Sequence, residues 1–177
     1  MYTPTVVFHA KNEKLDTNRK NTLSEIMEVL KKKINRYPLG VWIAILALFL
    51  ICLAWLMQLY SLIDWEGAVK LGVQNESFTG DMIERAIADV ERGIAIADIL
   101  WALPITIVAI IGLLREKFIG FIAAMMAFAV CVYFPLFYAF RESMSFDIVL
   151  AAIFLWAVPS LLGIFGLWIN RNFFNTN

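Results

Sequence analysis

Four apolar stretches, 41–63, 94–114, 118–140 and 148–169, fill most of this 177-residue chain. Each holds about the 20 helical residues that a bilayer core requires. With 61% hydrophobic residues gathered into such runs, the composition excludes an ordinary soluble domain. Backbone groups in lipid must be satisfied within their own segment, so runs of this length are helices. The expected fold is therefore all-α: a polytopic membrane protein built as a four-transmembrane-helix up-down bundle. Around it the sequence divides into a tail over 1–21, an amphipathic interfacial helix over 22–37, the transmembrane domain over 38–170 with an external loop and helical extension at 64–93, and a second tail over 171–177. No separate soluble domain of useful size fits in what remains, so a site belongs to the bundle, the first external loop or the N-terminal segment.

Formal net charge is zero, but its distribution is uneven. Lys11, Lys14, Arg19, Lys20, Lys31, Lys32, Lys33 and Arg36 precede the first span, and Arg115, Lys117 and Arg171 fall on the same side; Lys70, Arg85, Arg92 and Arg141 fall on the other. By the positive-inside rule both termini are expected to be cytoplasmic in a multi-pass cell-membrane protein. The first apolar run is long enough to span and reads as a retained helix, not a cleaved leader. Before it, Thr22 and Glu25 have capping-box spacing, and Leu23, Ile26, Met27, Leu30 and Ile34 keep helical periodicity up to Arg36. The basic cluster Lys31, Lys32, Lys33 and Arg36 is placed to contact lipid headgroups. A cluster this small in a neutral chain excludes nucleic acid as a partner.

Between 81 and 115 an amphipathic pattern runs without a break into the second span. Asp81 and Glu84 have capping-box spacing, and Arg85, Asp89 and Arg92 can pair along one face. Ile83, Ile87, Val90, Ile94, Ala97, Trp101 and Pro104 alternate steps of four and three, which puts them along one face of a single continuous helix. Glu84, Glu91 and Asp98 form an acidic stripe beside it. An acid inside a span should face the bundle and have a partner. Arg141 is the expected partner for a structural ion pair with Asp98. The alternative is an acidic mouth for a cation or cationic molecule, lined by Asp98, Glu91, Glu84, Trp101, Trp156, Tyr133 and Tyr138. Gly93 is the expected hinge, and the sequence leaves open whether 81–93 projects or folds over the mouth.

Trp101-Ala102-Leu103-Pro104 in the second span has a counterpart in Trp156-Ala157-Val158-Pro159 in the fourth, and Phe49-x-x-Cys52 has a weaker one in Phe128-x-x-Cys131. These pairs point to an internal repeat of two tandem helical hairpins. Pro104, Pro135 and Pro159 each remove a backbone donor, so three of the four spans are expected to kink and to splay externally. Small residues Gly120, Ala123, Ala124 and Ala127, and Gly163 with Gly166, form stripes suited to close internal packing. Cys52 and Cys131 read as packing residues, and the lone His9 supplies no basis for a metal or haem centre in the spans.

The spans carry no recognisable catalytic constellation and no cofactor motif. The expected function is that of a non-enzymatic binding or accessory subunit, whose partners are membrane lipids and a membrane protein or a second copy of the chain. The alternative is a small oligomeric transporter or channel for a cation or cationic molecule.

Overall fold

The computed structural model describes residues 19–140 and 146–174, apart from the side chains of Tyr138 and Ile148. A first helix, α1, covers 19–31 and leads into a two-residue hairpin of β1 (Lys33–Ile34) and β2 (Tyr37–Pro38). Then come α2 (Leu39–Ile63), the short α3 (Trp65–Lys70), α4 (Met82–Leu114) and α5 (Phe118–Ala139). The last span is composite: α6 (Phe146–Ala152), a π-helical turn (Ile153–Ala157) and α7 (Val158–Ile169), closed by a 3₁₀ turn at Arg171–Phe174. Four helices are long and apolar enough to cross a membrane, starting at Leu39, Met82, Phe118 and Val149. The chain is thus an integral, multi-pass membrane protein with an all-α bundle. Helix α2 packs on α4 and α7, and α5 packs on α4 and α7, so neighbours in sequence are neighbours in space and the first and last spans close the ring.

The interfacial helix is shorter than its periodicity implied. It ends at residue 31, because Asn35 takes a left-handed conformation (φ 58°) and turns the chain into the hairpin. Thr22 lies inside the helix, not at its cap. The hairpin then docks on the bundle: the Tyr37 hydroxyl donates to the Leu114 carbonyl at 2.6 Å and the Trp42 indole N–H to the Ile34 carbonyl at 3.1 Å. Asn170 reaches across with its amide to the carbonyls of Leu30 (3.2 Å) and Gly166 (2.8 Å). Arg36, read as a headgroup contact, pairs with Glu116 and lies over the Tyr37 ring, whereas Lys31, Lys32 and Lys33 are exposed.

Two glycine pairs bring helices together at this same end. Gly112 of α4 and Gly120 of α5 meet backbone to backbone, as do Gly40 of α2 and Gly166 of α7. Gly163 makes room for the Phe128 ring, and Ala123, Ala124 and Ala127 are buried, so the small-residue stripes serve internal packing. The turn after α4 is tight for a reason the hydrogen bonds show: Glu116 N–H donates to Leu113 and Lys117 N–H to Gly112, the Schellman arrangement, with Glu116 itself left-handed (φ 57°).

Helix α4 is unbroken over 33 residues, about 50 Å at ~1.5 Å per residue, and passes straight through Gly93. Its first turns are closed by the capping box that the sequence indicated, with Asp81 accepting from Ile83 and Glu84 N–H and Glu84 accepting from Asp81 N–H. The apolar stripe read from the sequence is not the face that the bundle buries. Ile83, Val90, Ala97, Trp101 and Pro104 are exposed, and the buried face carries Ala88, Ala95, Ala102 and Ala109, one alanine every seven residues. Between helices in lipid, close backbone approach is what stabilises, so small side chains face the bundle and large ones face acyl chains. The extension does not stand alone: Ala88 and Ala95 pack with Trp65, backed by Leu62, Val69 and Phe78.

Candidate functional site

Knitted together at one end, the bundle opens at the other. A chamber of about 330 Å³ lies there, walled by Ala54, Trp55 and Gln58 of α2, Glu91, Ile94 and Asp98 of α4, Val130, Tyr133, Phe134 and Phe137 of α5, Trp156 of the π turn, and Val73, Gln74 and Asn75 of the loop after α3. That size falls within the range of small-molecule sites.

Each wall follows from its helix. Glu91 and Asp98 are seven residues apart on α4, two turns, and so share the face beside the alanine seam. Asp98 is half-buried, and among the described residues it accepts no hydrogen bond and pairs with no base. Arg141, its expected partner, lies outside the described residues, as does the Tyr138 side chain. Trp156 reaches the chamber through the π turn, in which the Val158 N–H bonds to Ile153, five residues back. This widened turn stands immediately before Pro159, which has no N–H to offer the preceding turn. Pro104 and Pro135 sit within continuous helices instead.

Three rings meet at the chamber. Trp55 and Trp156 are 5.3 Å apart between centroids, Trp55 and Phe134 5.7 Å, and Phe134 and Trp156 5.8 Å. Trp55 is buried and its indole N–H has no hydrogen-bond partner among the described residues, so ring packing fixes its position.

The loop over 71–80 roofs the chamber from the side opposite the hairpin, and it is tied down. Gln74 is buried and its amide donates to Gln58 Oε1 at 3.3 Å. The Glu66 carboxylate accepts from the Ser77 hydroxyl, from Phe78 N–H at 2.8 Å, and from Thr79 N–H and its hydroxyl at 3.2 Å each. Trp65 donates to the Glu76 carbonyl at 2.7 Å and packs at a tilt against Phe78, over which Arg92 also lies. The Ser77 hydroxyl foremost, then the two amides and the Thr79 hydroxyl, hold the Glu66 carboxyl below its usual range. A depressed folded pKa means the stabilisation is present above the unfolded carboxyl pKa of about 4.3 and is lost as pH falls through the lower folded value. Hydrogen exchange at the Phe78 and Thr79 amides, corrected for intrinsic rates, is therefore expected to accelerate below about pH 4 in the native protein. In Glu66→Gln it should already be fast at neutral pH, with the acid step gone.

Of the residues the sequence singled out, Asp98, Glu91, Tyr133 and Trp156 come together here. Glu84 does not: its carboxylate is engaged in the helix cap. Trp101 does not either, being 62% exposed on the outer face of α4. The two Trp-Pro motifs thus stand in different surroundings. Trp55, Gln58, Phe134, Phe137 and the loop residues Gln74 and Asn75 escaped sequence reasoning. The available signal was weak: Gln58 is the one amide within the last turns of the first span, and Trp55 lies three residues before it. Compared with protein families, curated proteins and solved structures, the chain gives no match. Function has to be argued from the chamber itself.

Proposed function

We propose that the chain is a non-enzymatic membrane protein that binds a small organic cation in the chamber at the loop end of the bundle. The observation that carries this is that Asp98, without a base among the described residues, lines one cavity together with the mutually packed rings of Trp55, Phe134 and Trp156. A carboxylate supplies Coulomb attraction and aromatic faces supply about 0.5–2 kcal/mol each for a desolvated ammonium. Glu91 adds a second acidic wall, and Gln58, Gln74 and Asn75 can hydrogen-bond a polar substituent. With Lys31, Lys32 and Lys33 at the opposite end, the positive-inside rule puts that end in the cytoplasm and the chamber outside.

The probe is tetramethylammonium, with tert-butyl alcohol as its neutral counterpart of similar shape. Titrated into the protein in nanodiscs of zwitterionic lipid, the cation is expected to give a saturable change in tryptophan emission with a Kd on the order of 1 mM or below. Sodium chloride at equal ionic strength and the neutral alcohol should give none. An equal response to the alcohol, or no saturation, rules the cation reading out.

A further inference from the structure

The chamber is not sealed toward the bilayer. Tyr133 and Phe137 belong to its wall, yet they are 61% and 36% exposed on the outer surface of α5. The same two side chains, with Leu136 and Phe140, line a second, shallow groove. Positions 133, 136, 137 and 140 follow the three-four-seven spacing of one helix face, so the groove runs along the last turns of α5 to the residue just past its end. The polar groups Gln58, Gln74, Asn75, Glu91 and Asp98 line the chamber, and the groove has only aromatic and aliphatic side chains, the Tyr133 hydroxyl aside. On the opposite side the loop is tied to the bundle by the Gln58–Gln74 bond and held in shape by the Glu66 contacts.

We infer that the ligand is a single-chain cationic amphiphile that reaches the chamber sideways from the bilayer, its ammonium head among Asp98 and the aromatic rings and its alkyl chain lying along the Tyr133–Phe140 groove. This rests on the cation reading above. The groove commits to an alkyl chain because it joins an acidic chamber to a lipid-facing apolar strip. A chain gains no hydrophobic free energy by moving from lipid into such a strip, since both are apolar. Its function is permissive: it lets the head enter while the chain stays out of water. Selectivity then resides in the head, and a long chain is tolerated where a laterally closed chamber would reject it.

Dodecyltrimethylammonium carrying a diazirine midway along its chain tests this in the 177-residue chain in nanodiscs, with adducts mapped by mass spectrometry and tetramethylammonium as competitor. Adducts are expected within 133–140, and saturating tetramethylammonium should reduce them by about fivefold or more, as mass action requires for a shared head site. If tetramethylammonium binds but adducts fall evenly on lipid-facing residues such as Leu50, Leu53 and Leu100 and ignore the competitor, the sideways route is wrong and the cation site stands. If tetramethylammonium itself does not bind, the cation reading fails and the amphiphile fails with it.

Discussion

Gly120→Leu is expected to prevent recovery of folded, monodisperse protein. At the α4–α5 crossing a Cβ on Gly120 would overlap the backbone of Gly112 and Leu113, and one on Gly112 would overlap Gly120. Backbone cannot swing aside as a side chain can, so the helices must separate. Overpacking of this kind costs about 1–3 kcal/mol when side chains yield, and more when main chain is the obstacle. The Schellman turn between Gly112 and Gly120 leaves little slack to absorb the shift. Gly40→Leu on α2 should behave similarly, since its Cβ would meet Gly166 and the Asn170 amide. Gly93→Ala is the control: nothing lies within 4 Å of a Cβ there, and it sits inside α4, so the change should be neutral or stabilise by up to about 1 kcal/mol. Thermal unfolding followed with a thiol-reactive dye suits this chain, because Cys131 is buried and Cys52 half-buried. Unfolding of Gly120→Leu at the native temperature would show that the crossing is looser than backbone contact.

The span boundaries were legible because lipid imposes length and hydropathy in one dimension; the first, third and fourth spans start or end within two residues of the apolar runs. The Asp81–Glu84 cap was legible for a local reason: both of its hydrogen bonds lie within four residues. The packing face of α4 was not. Apolar periodicity identifies the side that avoids water, but in a bilayer that side divides between protein and lipid, and only the heptad of Ala88, Ala95, Ala102 and Ala109 marks the protein side. Glu91 and Asp98 line the chamber because they neighbour that seam, and Trp101 stands away from it because it belongs to the large-residue stripe. The loop residues at the chamber escaped because their position depends on Glu66 binding residues 11 to 13 positions away, a contact no periodicity encodes.

Asp98→Asn is expected to leave the bundle folded and to weaken tetramethylammonium binding by about tenfold or more. Asparagine keeps the shape and one acceptor while removing the charge. At an effective dielectric of about 20, a cation roughly 5 Å from the carboxylate gains about 3 kcal/mol, of which desolvation returns a part. A net loss of about 1.4 kcal/mol is the tenfold change. Folding should not suffer, because no base among the described residues stands beside Asp98, and a charged acid in a span costs up to about 2.5–3.5 kcal/mol at the bilayer centre and less near the edge. Asp98→Glu should retain much of the affinity, whereas Trp156→Ala should lose binding while keeping the charge, by removing one ring of the cage. The contrary result has a definite meaning. If Asp98→Asn fails to fold while Asp98→Glu folds, the carboxylate is held by a base, with Arg141 the first to test by charge exchange, and the acid belongs to the architecture of the bundle and not to a ligand. If Asp98→Asn folds and binds the cation as tightly as the native chain, the aromatic rings and Glu91 carry recognition without it.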